Sequence, residues 1–255
     1  MRKVTKNKRF FFVRDDFSNP YTKYNLFKFW SKVEKGIWEP ETFEILDKYL
    51  DKNSTYLDLG AWMGPTVLYG AGIAKKTYAV EPDPVAYREL KENIRLNPKI
   101  GKSIHTFNLA ISGCDGHIKM GNDSMVGDSS STIILRDTNK FFWDVKSFKF
   151  DTFIKKYKIE DCNFIKIDIE GGEMIILPTM LKYLRKNKPT IYLSLHLLPL
   201  KYKLRYLRSI LPLFFVYDNV YLNSGKKINY SYFIAYYFFY PFFKDDSNAL
   251  LFTIK

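Results

Sequence analysis

The segment that most constrains this chain is Thr55-Tyr-Leu-Asp-Leu-Gly-Ala-Trp-Met-Gly64, a short apolar run that passes Asp58 and ends in a glycine-punctuated turn. Seventeen residues past Gly64, a second apolar run, Lys76-Thr-Tyr-Ala-Val80, ends in Glu81. Glycine at 60 and 64 lets the backbone turn sharply and approach a ligand where a Cβ would collide. A carboxylate about 20 residues beyond such a turn, at the tip of the next strand, is placed to accept from the two ribose hydroxyls of a nucleoside. The spacing is not G-x-G-x-x-G, the pattern that binds a pyrophosphate at a helix N-terminus. Asp58 would repel a pyrophosphate but suits an ammonium group, directly or through water. A ribose diol, an ammonium group and no phosphate together describe S-adenosyl-L-methionine. A plain strand, turn and helix would account for the glycines alone; Asp58 together with Glu81 favours a ligand.

At 255 residues the chain fits one α/β domain with room for an insertion. Its hydrophobic content of 46% supplies a real core and excludes a disordered chain. Cys114 and Cys162 form neither a disulfide framework nor a zinc spacing, which fits a reducing compartment and a cytoplasmic location. The net charge of +13 comes from lysines spread over nearly every segment. That distribution reads as compositional bias rather than a nucleic-acid patch, and it would still steer an anionic acceptor. No export signal is expected, because the apolar run Phe10 to Val13 is stopped by Arg14, Asp15 and Asp16. The most apolar stretch, Tyr232 to Phe243, contains Pro241 and falls short of the ~20 residues a spanning helix needs. Spanning is excluded on that reading; peripheral membrane contact is left open.

Residues 1 to 38 are basic and aromatic without clear periodicity and read as an N-terminal extension; 39 to 255 read as the main domain. Helices are predicted over Glu41 to Leu50, Thr66 to Ile73, Pro84 to Asn97 and Gly172 to Lys186. Strands are predicted at 55 to 59, 76 to 80, Ile104 to Ile111, Asn163 to Ile167 and Thr190 to Leu195. Gly113 to Ile118 reads as a turn and a further strand, and Val216 to Leu222 and Ala249 to Ile254 as closing strands. Residues 121 to 146 are the least regular, and so long a loop in a compact domain is usually functional. Residues 200 to 245 read as an aromatic-rich insertion, its aromatics more a covering layer than a lipid or sugar surface. Strands alternating with helices imply a parallel sheet with right-handed crossovers, whose ligands bind at the carboxyl ends of the strands. Asp58 with Gly60, Glu81, the segment Asn108 to Ser112, Asp168 with Glu170, and His196 all fall at such ends.

Asp168-Ile-Glu-Gly-Gly-Glu173 follows a strand and opens a helix. Asp168 is placed to orient an acceptor hydroxyl, act as general base or bind a metal; capping the helix is the structural alternative, for Glu170 equally. Glu173 complements the helix dipole. His196, at the rim after Ile191-Tyr-Leu-Ser-Leu195, is the first choice for a base near neutral pH. His105 and His117 read as bystanders. Leu109, Ala110 and Ile111 offer a flat apolar slot for an adenine, although core packing explains the same residues.

On these residues the chain resembles the FkbM family of S-adenosylmethionine-dependent methyltransferases. The resemblance rests on residues 56 to 64, Ala79-Val-Glu-Pro-Asp-Pro84, Asn108-Leu-Ala-Ile-Ser112, Phe164-Ile-Lys-Ile-Asp-Ile-Glu-Gly-Gly-Glu173 and Leu193-Ser-Leu-His196, with a weaker echo at Asn248-Ala-Leu-Leu-Phe252. It covers about 55 to 200. It implies a class I (Rossmann-like) methyltransferase fold, α/β with a mostly parallel sheet, flanking helices and an antiparallel closing strand. It also implies methylation of a hydroxyl on a sugar, glycan or secondary metabolite. By position, Asp58, Gly60, Ala61, Gly64, Glu81, Asn108, Ala110 and Asp168 look like cofactor residues, and Asp168, Glu170 and His196 like the reaction rim. Trp62 departs from the smaller residue or histidine usual at its position. Ser194 replaces a frequent acidic residue.

The reaction expected is in-line transfer of the sulfonium methyl to a hydroxyl. A nucleic-acid methyltransferase on the same fold has charge in its favour, but residues 168 to 171 are not the N-P-P-Y type of amine-methylating motif and no dense basic patch occurs. A non-catalytic glycan- or membrane-binding relic is the second rival. A dehydrogenase lacks its third glycine.

Overall fold

The computed structural model describes residues 1–15, 26–159, 161–196, 198–239 and 249–254. Residues 240 to 248, within the aromatic-rich segment, and Asp16 lie outside them. The chain opens with an antiparallel hairpin, β1 (Arg2–Lys6) and β2 (Arg9–Val13), then helix α1 (Leu26–Glu34) and helix α2 (Pro40–Tyr49). Alternating units follow: β3 (Thr55–Leu59), α3 (Pro65–Ala71), β4 (Lys76–Val80), α4 (Pro84–Arg95), the short α5 (Pro98–Gly101) and β5 (Ile104–Phe107). Next come β6 (Ala110–Ile111), β7 (Gly116–Asn122), β8 (Phe141–Phe148) and α6 (Phe150–Tyr157). The second half runs β9 (Phe164–Ile167), α7 (Glu173–Asn187), β10 (Thr190–Ser194), α8 (Leu200–Ile210), a 3-10 turn (Leu211–Phe215), β11 (Asn219–Leu222), α9 (Tyr230–Phe239) and β12 (Ala249–Thr253).

Seven strands form the central sheet in the order β11-β12-β10-β9-β3-β4-β5. Pairs from β10 to β5 are parallel, and β12 runs antiparallel between β10 and β11. This is the class I methyltransferase fold expected from the sequence. Chain direction across the sheet reverses at β3: β4 and β5 extend one way, β9 and β10 the other. The tips of β3 and β9 therefore bound the crevice where such sheets take ligands. All residues of β3 and β9 are buried, as expected for strands covered on both faces.

Local chemistry sets the boundaries. Asp83 caps α4 by accepting from the amides of Val85 and Ala86 at 2.8 and 3.1 Å, with Pro84 opening the helix. Gly64 precedes α3 with φ 95°. At Gly60, φ is 88° and an added Cβ would lie 1.8 Å from the Asp168 carbonyl oxygen, so the tips of β3 and β9 meet there without a side chain between them.

Several expectations change. The strand predicted over 104 to 111 is broken: Phe107 ends β5, where its carbonyl accepts the Glu81 amide at 3.0 Å, and Ala110 and Ile111 join β8 in a separate sheet ordered β6-β8-β7. Much of 121 to 146 is regular, since Gly121 and Asn122 close β7 and residues 141 to 146 belong to β8; the loop is 123 to 140. Residues 1 to 38 hold a hairpin and a helix, with Val4, Phe11, Val13 and Trp30 in one buried cluster with Phe43. The segment 200 to 245 supplies α8, the edge strand β11 and α9, whose Phe233 and Tyr237 enter the main core. Among the described residues, no helix is long and apolar enough to cross a membrane.

The two glycines should differ on substitution. At Gly64 an alanine adopts a left-handed φ and meets only the movable Leu90 side chain, costing about 1–2 kcal/mol. Gly60→Ala meets backbone as well, and should cost at least about 3 kcal/mol or prevent folding, read by denaturant unfolding.

Candidate active site

A cavity of about 700 Å³ opens over the carboxyl ends of β3, β4, β9 and β10. Gly60, Ala61, Glu81, Ala110, Asp168, Glu170 and His196 line it; Asp58, Gly64 and Asn108 do not. At one end, Glu81 is 5% exposed. Its Oε2 accepts the Trp62 amide and its Oε1 the Asp83 amide, each at 2.7 Å. Each oxygen keeps another lone pair, the arrangement a ribose diol needs. Burial pushes the Glu81 carboxyl up to about 8, against these amide donors. Asn108 braces this end from behind, donating to the Glu81 and Pro82 carbonyls at 2.8 and 3.3 Å.

Asp58 does not face the cavity. It is fully buried and accepts from the hydroxyls of Tyr56 and Thr66 at 2.7 and 2.6 Å. The ammonium group it holds belongs to the protein: Lys166 Nζ lies 3.4 Å from Asp58 Oδ1 and 3.2 Å from Asp168 Oδ2. Burial opposes the charge on Lys166, but Asp168, Asp58 and Glu39 hold its pKa well above the usual lysine range. Asp168, though burial works the other way, is held well below the carboxylate range by Lys166 and His196. Gly64 serves the start of α3, not the cavity wall.

The other end is built around His196. Its Nε2 lies 3.3 Å from both Asp168 Oδ1 and Glu173 Oε1, and its Nδ1 3.4 Å from Glu170 Oε2. Burial alone would lower the imidazole pKa; Glu173, Asp168 and Glu170 outweigh it and raise it well above the histidine range. That shift disfavours the neutral imidazole whose free lone pair would take an acceptor's proton. The base role expected from sequence therefore does not fit the electrostatics. Glu170 fits it better: burial foremost, then Asp168 and Glu173, raises its carboxyl to about 7, with His196 opposing. Glu170 has φ 54°, and its carbonyl accepts the Thr132 hydroxyl at 2.7 Å, which pins the turn. Glu173 is fully buried at the start of α7, and its Oε1 accepts the Ile169 amide at 2.9 Å. Donor atoms of Asp168, Glu170 and His196 all lie within 4.8 Å of one another, a spacing that could hold a metal ion.

Two cavity residues escaped the sequence reading. Lys166 is the one charge in the apolar strand Phe164-Ile-Lys-Ile167, and a lysine in a doubly covered strand implies a carboxylate partner. Glu39, at φ 41° before α2, accepts from the Thr42 hydroxyl at 3.1 Å. Burial, with Asp168 adding to it, raises its carboxyl to about 7. The loop 123 to 140 closes over the Glu81 end: Gly127 donates its amide to Asp83 at 2.7 Å and accepts from Trp62 Nε1 at 2.9 Å.

Glu81 makes stability pH-dependent. Its folded pKa of about 8 lies above the unfolded value near 4.5, so its proton is kept on folding and its contribution is fully present below the latter. Stability should fall as pH rises from about 4.5 to 8. Glu81→Gln should flatten that part of the profile in thermal melts of the ligand-free protein.

The FkbM methyltransferase of Methylobacillus flagellatus is 15% identical, with 92% of this chain and 55% of that one covered and a TM-score of 0.49. A putative methyltransferase from Streptococcus mutans, solved in complex with SAH, is 15% identical over 61% of this chain and 70% of its own, with a TM-score of 0.36. An uncharacterized protein of Methanocaldococcus jannaschii is 38% identical over 52 residues, which is 20% of either chain. The chain thus spans about half the length of the first protein and a fifth of the last. Residues 63–221 match the family model described as the methyltransferase FkbM domain. That match takes in more than half of the sequence, and the chain belongs to the FkbM methyltransferase family.

Proposed function

We propose that the protein moves a methyl group from S-adenosyl-L-methionine to a hydroxyl of a sugar, glycan or secondary metabolite. One observation carries this reading: a single cavity joins a diol-accepting carboxylate, Glu81, to the cluster of Asp168, Glu170 and His196. The two ends stand at β4 and β9, separated by β3 alone, so they are about two strand spacings, ~10 Å, apart. That distance suits a nucleoside with its ribose at Glu81 and its reacting end at Asp168. The acid-rich lining (Glu39, Glu41, Glu81, Asp128, Asp168 and Glu170 against Lys166 and His196) suits a cationic sulfonium. It does not suit a polyanionic strand, which separates this reading from a nucleic-acid methyltransferase.

The acceptor oxygen attacks the methyl carbon in line with the carbon–sulfur bond. That bond breaks, and S-adenosylhomocysteine leaves as a neutral thioether at sulfur. Glu170, half-buried at the rim, receives the hydroxyl proton; Asp168, fixed by Lys166, orients the hydroxyl. Holding the reactants about 3–3.5 Å apart in a cleft shielded from water supplies much of the rate. The basic outer surface would steer an acceptor with an anionic remainder, while the reacting end is an uncharged hydroxyl.

Calorimetric titration of S-adenosylmethionine and S-adenosylhomocysteine tests the cofactor. Both should bind the wild type, and Glu81→Ala should weaken both at least tenfold, since two hydrogen bonds to a carboxylate are lost. Absence of binding by the folded wild type would remove the methyltransferase reading. Once an acceptor is identified by labelled-methyl transfer, Glu170→Gln should lower kcat by about 10²-fold or more with cofactor affinity nearly kept. Unchanged turnover would exclude Glu170 as the proton acceptor.

A further inference from the structure

We infer that Asp168, Glu170 and His196 form a binding site for a divalent cation at the acceptor end of the cavity. The three side chains come from the β9 tip, the following turn and the β10 tip, and their donor atoms lie within 4.8 Å of one another. Ligands about 2.1 Å from an octahedral ion stand ~3–4 Å apart, so small side-chain rotations close the set. Hydrogen bonding among the described residues leaves this cluster incomplete. His196 Nε2 is buried and makes no directed hydrogen bond despite its 3.3 Å approaches to Asp168 and Glu173. Glu173, fully buried against the same imidazole, has its Oε2 without a donor. Buried carboxylate oxygens without a donor carry a large desolvation cost.

Charge points the same way. Asp168, Glu170 and Glu173 crowd His196, Arg136 adds a weaker positive charge near Glu170, and Lys166 is already shared between Asp58 and Asp168. His196 ligates as the neutral imidazole, releasing its proton as the ion binds, and the carboxylates of the cluster, Glu39 included, then outnumber Lys166 and Arg136. A divalent ion balances that excess. One imidazole nitrogen and two carboxylate oxygens, with no thiolate, suit Mn²⁺, Mg²⁺, Fe²⁺ or Zn²⁺ and not a soft ion such as Cu(I). The half-buried donors line the open cavity, so an ion has a path and free coordination positions.

The role of such an ion rests on the methyl-transfer reading; its binding does not. A bound divalent ion would coordinate the acceptor hydroxyl and lower its pKa. Glu170 would ligate through one oxygen and keep the second for the proton.

The test uses the full chain, stripped with chelator, without cofactor. Mn²⁺ is titrated while the free-ion electron paramagnetic resonance signal is followed, and Zn²⁺ uptake is measured by equilibrium dialysis. The expected result is uptake of one Mn²⁺ per chain, with at least tenfold weaker uptake in both Asp168→Asn and Glu170→Gln. Circular dichroism confirms that each variant is folded, and Glu170→Gln serves alone should Asp168→Asn fail to fold. Wild type that binds neither ion overturns the site, and so does uptake unchanged in a folded variant. Cofactor binding is measured by calorimetry on the same stripped sample, so loss of the cation site and loss of the cofactor reading are told apart.

Discussion

The rest of the structure depends on one buried ammonium group. Lys166 stands directly opposite Asp58 across the parallel pair of β3 and β9, and its Nζ also reaches Asp168 at the tip of its own strand. Taking these charges out of water costs several kcal/mol per ion before their attraction is counted. The cost is offset because the group is nearly complete: Asp58 takes two hydroxyl donors as well as Lys166, and Asp168 takes Lys166 and lies beside His196. Removing Lys166 would leave two carboxylates facing each other in the sheet, a larger penalty than the pair ever paid back. The bridge also fixes the cavity floor. Asp168 donates its amide to the Leu59 carbonyl at 3.0 Å, and its own carbonyl occupies the space a Cβ on residue 60 would need. Asp58, Gly60, Lys166 and Asp168 thus act as one unit, in which the charge pair sets the side chain and the glycine sets the backbone.

Two opposite electrostatic solutions stand on that floor. Glu81 is a buried carboxyl with two amide donors and no cation, so burial raises its pKa and disfavours a full negative charge, while both oxygens keep hydrogen-bonding capacity towards the cavity. Around His196, carboxylates crowd one imidazole and hold its proton on. The first environment suits a neutral diol; the second suits positive charge. A ligand with a ribose at one end and a sulfonium at the other satisfies both, whereas a pyrophosphate-bearing dinucleotide satisfies neither. The chain's net charge of +13 resides elsewhere, and the acidic cavity is set within a basic protein.

Much of this was legible in the sequence because strand tips are short-range events. An apolar run that ends in a carboxylate or glycine places Glu81, Asp168 and His196 on the rim without knowledge of what faces them. What the sequence could not say is where each side chain points. Asp58 lies two residues before Gly60, yet it faces the sheet interior and Lys166, a partner 108 residues away. His196 reads as a neutral base when met singly; only the fold brings three carboxylates to it from the segment 168 to 173. The hairpin at 2 to 13 was hidden because polarity does not follow burial there: Lys6 is buried and Phe10 exposed, and the inward apolar residues, Val4, Phe11 and Val13, are few. Between β5 and β6 an uninterrupted stretch without glycine or proline concealed a change of sheet, in which the Phe107 carbonyl accepts from Glu81 while Ala110 and Ile111 pair with β8.

Trp62 shows how a departure from the family pattern is accommodated. Its amide must point at Glu81 Oε2, and that requires the left-handed φ of 46°, a strained conformation for a large side chain. A glycine would adopt the turn at less cost. The indole offsets the strain by what it holds: its ring packs edge-on against Phe29 of α1, with centroids 4.9 Å apart, and its Nε1 binds the Gly127 carbonyl of the 123 to 140 loop. Asp83 grips the amide of the same Gly127 while capping α4. The turn after β3, the N-terminal helix, the covering loop and the helix after Glu81 therefore share one anchor. A smaller side chain at 62 would keep the amide at Glu81 and release the loop and α1, so the tryptophan contributes closure of the cavity it lines.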